Sequence, residues 1–310
     1  MKPIFVASVV VLTAVAAGIG VEARRTSQPA GDRPQVVSPL GKSFFARPDT
    51  DGAIAKADTA RAADPNNLDL LLASARARDA ALQHLGAIEL YSKVIALAPG
   101  DVRGYRFRGH RYISTRRFDL AVADLDKAAT LAPTSFDVLY HLGLARFLRS
   151  EFDLAAAAYR RCLDARAPAG PLPDGWRDCS TVAGDNESRV AVSDWLYRSL
   201  RRAGRHDEAA RLLGGIGADL AIKENIAYYT ALLFYKGART EAQALPPEAF
   251  GENTGVTTGY GIATFHLGEG RKDQACALFR RLAADEAHWN AFGFIAAETD
   301  LTRAGGPCPR

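Results

Sequence analysis

Apolar and polar residues alternate in blocks along the chain, and the punctuation between the blocks recurs. Pro65, Pro99 and Pro133 lie 34 residues apart, each closing an Ala- and Leu-rich stretch, and Pro168 comes one residue late. A proline has no amide to continue a helix and pushes the preceding residue away from helical dihedrals, so these prolines mark helix ends at a fixed interval. Within the intervals, bulky and small residues alternate at helical spacing. One interval has Tyr105, Gly109, Tyr112, Ala121, Leu125 and Ala128; the next has Leu139, Leu142, Gly143, Ala155, Tyr159 and Cys162; the one before has Leu71, Ala75, Ala87, Tyr91 and Val94. Small residues let two antiparallel helices cross closely, while large ones fill the space towards the next pair. The pattern predicts one helix-turn-helix per interval and an all-α chain.

A 34-residue period of this kind resembles the tetratricopeptide repeat (TPR), with bulky residues near positions 4, 7, 11 and 24, small ones at 8, 20 and 27, and proline at 32. The match departs from that pattern at Ser74, Arg78, Arg108, Arg146 and the displaced Pro168. The resemblance implies a right-handed α-α superhelical solenoid of about six helix pairs over residues 49–302. Its clear repeats are 68–101, 102–135 and 136–169, and its degenerate ones are 190–223, 224–250 and 256–285. In the fifth of these, Pro246-Pro247 should cut the second helix short. Ala53, Ala57, Ala60 and Pro65 fit a half-repeat that caps the N-terminal end, and residues 289–301 fit a closing helix, since each unit buries surface only against its neighbours. Residues 303–310 are a tail. The strings Arg108-Gly109-His110-Arg111-Tyr112, Asp194-Trp195-Leu196-Tyr197 and residues 288–298 are similar to those of uncharacterised exported bacterial TPR proteins. That likeness implies an envelope or secreted protein and brings no catalytic residues.

Two stretches fall outside the period. Residues 24–48 carry Pro29, Gly31, Pro34, Pro39 and Gly41 and read as a disordered tether. Residues 167–187, with three prolines, three glycines, Trp176 and Cys179, read as a loop insertion on one face of the array. Trp176 there either plugs an apolar gap or touches a ligand. At the N-terminus, Lys2 precedes an uncharged run over residues 4–21, and small side chains follow at 21–23. This reads as a signal peptide over residues 1–23 or, because the run is long and Arg24-Arg25 follow it, as an uncleaved anchor. Met1 is the only methionine, so a processed protein would contain none.

Cys162, Cys179, Cys276 and Cys308 are the four cysteines. An even count without CxxC spacing in an exported protein favours disulfides over zinc. Of the three possible pairings, Cys162 with Cys179 would staple the insertion and Cys276 with Cys308 would pin the tail. Free buried thiols are the alternative.

Lys+Arg 39 against Asp+Glu 35, a net charge of +4, is too mild a balance to suggest a nucleic-acid binder. The chain has no GxSxG, HExxH or GxxxxGK[ST], and its six histidines are scattered. Gly259-Tyr260-Gly261 falls inside a predicted helix with no strand before it, so it is not a dinucleotide loop. No catalytic residue, cofactor or metal site is expected. The Asn186-Glu187-Ser188 sequon carries no information in a bacterial host.

The concave face remains. In the TPR family, positions 2, 5, 9 and 12 of the first helix of each pair line it. Here they are Asp69, Leu72, Arg76 and Asp79; Arg103, Arg106, His110 and Ile113; Asp137, Tyr140, Leu144 and Phe147; and Ala191, Asp194, Arg198 and Arg201. Residues 102–117 hold six arginines and no acid. A basic stripe beside aromatic rings suits an acidic or C-terminal segment of another protein, because guanidinium forks hold carboxylates at two points and rings give rigid contact area. Arg76, Arg103, Arg106, His110, Tyr140, Phe147, Arg198 and Arg201 are therefore the candidate peptide-binding residues. The expectation is a non-catalytic protein-interaction scaffold, periplasmic or secreted. The alternatives are a structural subunit of a membrane-associated complex, membrane-tethered if the leader is retained, and, with least support, a periplasmic enzyme or glycan-binding module.

Overall fold

The computed structural model describes residues 33–308, so the leader expected over residues 1–23 lies outside the described residues. Helix pairs follow one another as the period predicts: α1 (Ala53–Ala63), then α2 (Leu68–Ala80) with α3 (His84–Leu97), α4 (Val102–Ser114) with α5 (Phe118–Leu131), and α6 (Phe136–Leu148) with α7 (Phe152–Asp164). After the insertion come α8 (Asn186–Arg202) with α9 (His206–Gly214), α10 (Ile226–Tyr235) with the one-turn α11 (Glu241–Ala244), α12 (Asn253–Gly268) with α13 (Lys272–Ala283), and α14 (Phe292–Thr302). The chain is an all-α solenoid. Among the described residues, no helix is long and apolar enough to cross a membrane.

The small positions act as expected. A Cβ built on Gly143 of α6 would sit 2.5 Å from the Tyr159 ring of α7, and one on Gly109 of α4 would sit 2.8 Å from Leu125 of α5. The departures from the repeat pattern also have a physical account. Arg78 reaches back 20 residues to Asp58 of α1 at 2.6 Å, and Arg146 reaches back 20 residues to Asp126 of α5 at 2.7 Å. Arg108 clasps Asp124 of its own pair with two bonds at 2.7 and 2.8 Å. An arginine stem can replace an apolar side chain at such a site when its head finds a carboxylate on the adjoining helix.

Cys162 joins Cys179 and Cys276 joins Cys308. The first bond ties the insertion to α7. Backbone bonds tie the same loop to the start of α6, with Cys179 N–H donating to Thr134 C=O at 2.7 Å and Phe136 N–H to Arg177 C=O at 2.9 Å. The second bond holds the chain end against α13. Two disulfides indicate a non-cytoplasmic compartment.

The structure departs from expectation in residues 33–48. In place of a tether there is a short antiparallel hairpin, β1 (Val36–Val37) paired with β2 (Ser43–Phe44). Strand alternation turns Val36 and Phe44 inward, where Phe44 stacks on Trp289 at 5.3 Å and meets Phe294 edge-on at 5.6 Å. Pro39 and Gly41 make the turn of the hairpin instead of keeping the segment unfolded.

Hairpin and closing helix thereby meet against the turn between α2 and α3. Turn residues with positive φ recur with the repeat at Leu82 (56°), Arg116 (60°) and Ser150 (67°), where glycine would be less strained. Two of them hold the closure. Leu82 is buried in the cluster of Val36, Phe44, Trp289 and Phe294, and Arg116 donates to Glu298 of α14 at 2.6 Å and to the Trp289 carbonyl at 2.8 Å. Arg202 and the Tyr260 hydroxyl fasten Asp300 of the same helix.

Replacing Phe44 by Ala is expected to cost about 3–5 kcal/mol, read from urea unfolding, because the ring is core; a tether residue would show no loss. Gly143→Ala is expected to cost about 1–3 kcal/mol in the same assay by overpacking Tyr159.

Candidate binding groove

The closure sorts the eight predicted binding residues into two groups. Arg198 is fully buried and paired with Asp194, also fully buried, while its guanidinium lies over the Trp195 ring at 4.6 Å. Burial raises the Asp194 carboxyl to about 6 against the pull of Arg198. Phe147 is 1% exposed and packs edge-on to Phe152 and Trp195. The Tyr140 hydroxyl exchanges a bond with the Tyr228 hydroxyl at 2.8 Å and accepts one from Trp195 Nε1 at 3.0 Å. Arg201 is held by Glu269 at 2.6 Å and by the Tyr197 hydroxyl at 3.0 Å. His110 faces His141 at 4.4 Å and Phe292 of α14 at 5.3 Å. These side chains hold the solenoid and its closing helix together and do not line one open face.

Arg76 and Arg103 do come together, while Arg106 lies behind them over the Phe107 and Trp176 rings. A concavity of about 590 Å³ opens between α2, α4 and the insertion, lined by Leu72, Ala73, Arg76, Arg103, Phe107, Leu172, Pro173 and Trp176, with Asp69 and Asp174. Asn67 caps α2 by accepting from the Asp69 and Leu70 amides, and Asp101 caps α4 by accepting from the Arg103 amide. With both helix starts fixed, the i,i+4 pairs Leu72/Arg76 and Arg103/Phe107 share a face. The insertion supplies the opposite wall. Its Trp176 meets Phe107 edge-on at 5.9 Å, and Phe107 stacks on Tyr91 at 5.4 Å.

The basic stripe is largely compensated. Arg103 bonds Asp101 and Asp69, each bond raising its pKa further, and Arg111 lies 3.6 Å from Asp79. Arg106 sits over Phe107 and Trp176 with Asp137 at 3.2 Å, and burial lowers its pKa. All of these acids lie outside residues 102–117, so the local run conceals the pairing. Arg76 differs: it is exposed and has no acidic partner among the described residues. Phe107, Leu172 and Pro173 were not among the predicted residues. Phe107 is one position past the expected groove register, and the insertion has no register at all.

No group of three or more His, Cys, Asp or Glu suited to a metal ion occurs among the described residues. No family model matches the chain, and no curated protein does. Among solved structures it is similar to MamA, at 23% identity and TM-score 0.42 over 52% of this chain and 83% of that one. It is also similar to YrrB, described as a TPR protein with an unusual peptide-binding site, at 13% identity and TM-score 0.45 over 77% and 97%. TTC0263, a thermophilic TPR protein of Thermus thermophilus, matches at 20% identity and TM-score 0.43 over 59% and 90%. The TPR resemblance of this chain stands on its own 34-residue period and stacked helix pairs.

Burial lowers the pKa of His84 to about 4 and holds His110 and His141 well below their ordinary value, with nearby arginines adding to the effect. In the unfolded chain these rings titrate at about 6.5. Below that pH the unfolded state binds more protons than the folded one, so stability is full above about 6.5 and falls towards pH 4. Thermal unfolding between pH 7.5 and about 4.5 is expected to show a falling midpoint, with these three histidines contributing to the loss.

Proposed function

We propose that the protein is a non-catalytic interaction scaffold that holds an extended segment of a partner protein in the groove between α2, α4 and the insertion. The observation that carries this reading is an open groove with a rigid aromatic wall, Trp176 against Phe107, facing an exposed and unpaired arginine, Arg76. Aromatic area with little side-chain entropy to lose, next to a free guanidinium, favours a segment that pairs an apolar side chain with a carboxylate, either acidic or a free C-terminus. Asp69 engages Arg103, which leaves Arg76 as the cation free to pair. The disulfides and the apolar leader agree with a periplasmic or secreted setting, with the leader as tether where it is retained.

Panning a random peptide library against the purified protein tests this. Enriched sequences should carry an acidic residue or require a free C-terminus, and should bind less tightly at high salt. Trp176→Ala and Arg76→Glu should each weaken them by about tenfold or more. Recovery of no sequence, or of sequences indifferent to both substitutions, would refute the reading.

A further inference from the structure

A second concavity, of about 250 Å³, lies where the closing helix meets α4 and α12. Close backbone packing builds it. A Cβ on Gly293 would fall 2.5 Å from the Val256 carbonyl, and one on Gly255 would fall 1.8 Å from the Ala249 carbonyl. Gly293 thus lets the first turn of α14 sit against the first turn of α12 beside the cavity, while Gly255 lets α12 start tightly on the turn that precedes it.

His110, Tyr228, Asn253, Thr257, Asn290 and Phe292 line the space, and no lining side chain is an acid, a lysine or an arginine. Burial, and after it Arg111, lowers the His110 pKa well below its ordinary value, which favours the neutral ring. His110 and Asn290 are half-buried and Asn253 is exposed at the rim, and none of their side chains is bonded to another described residue, so each is free to bond a ligand or water. Three polar side chains open to a ligand, drawn from α4, from α12 and from the turn before α14, therefore line one cavity.

We propose that this pocket binds a neutral sugar ring. Each Asn amide offers a donor and an acceptor, and a neutral imidazole offers one of each, which matches hydroxyl groups that both give and take a hydrogen bond. Polar groups arriving from several elements suit a ligand with hydroxyls around its rim better than one with a single headgroup. The Phe292 and His110 rings, 5.3 Å apart, supply a surface for the apolar face of the ring. A cavity of this size is just under the span of about 300–1,000 Å³ typical for drug-sized molecules, which fits one ring and not a chain. The lining offers no charged side chain to pair with a carboxylate, a phosphate or an amine, so a neutral ligand suits it better.

The test is saturation-transfer NMR on the full chain with glucose, galactose and N-acetylglucosamine as separate probes and glycine as a charged control. At least one sugar should bind in the millimolar range and glycine should not. The double variant Asn253→Ala, Asn290→Ala should lose about tenfold or more in affinity with its circular dichroism unchanged. Trp176→Ala should bind the sugar as the parent does, which separates this pocket from the peptide groove. Silence from all three sugars, equal binding by the double variant, or binding of glycine in place of a sugar would overturn the proposal.

Discussion

A curved stack of helix pairs leaves an inner surface open to whatever can follow its curvature, and here the chain itself takes much of that surface. The contact that fastens it is the ion pair between Arg116 and Glu298, residues 182 positions apart, with Glu298 fully buried. Removing two charges from water is costly, so a pair like this is retained only where its geometry is enforced from both sides. Arg116 is enforced by a turn in the left-handed region, and Glu298 by a helix that the Cys276–Cys308 bond ties to α13. The hairpin then completes the seal, with Phe44 laid on Trp289 and both rings close to the Arg116 guanidinium.

This closure determines where function can reside. Positions that in an open superhelix would face a ligand, such as Ile113, Leu144 and Phe147, are buried here. What stays open is the mouth between α2, α4 and the insertion, together with the small pocket beside α14. The Cys162–Cys179 bond bears on the first of these, because it holds the loop that carries Trp176. The close contact of Gly293 with Val256 bears on the second. Fold and candidate sites thus depend on the same few long-range contacts.

Local regularities were legible in the sequence. The 34-residue spacing located the helix pairs, Pro246-Pro247 foretold the one-turn α11, and the cysteine positions fitted the pairs that form. Contacts that link distant repeats were not legible. Val36 and Phe44 look like isolated apolar residues among prolines and glycines until Trp289 and Phe294 are placed opposite them. The arginines of residues 102–117 look like a free basic face because several of their acids, Asp69, Asp79, Asp137 and Glu298, lie elsewhere in the chain. Periodicity defines how one pair sits on the next, but the accumulated curvature that brings α14 against α4 is a sum of small angles that no single repeat displays.

Whether the C-terminal helix is locked to the second repeat is decided by a double-mutant cycle on Arg116→Met and Glu298→Met. Each single variant should lose about 3–5 kcal/mol on unfolding because it strands a buried charge, while the double variant should be more stable than either, a coupling well beyond the scatter of independent sites. Additive effects, agreeing within about 0.5 kcal/mol, would mean that the two residues do not meet and that the inner face is open.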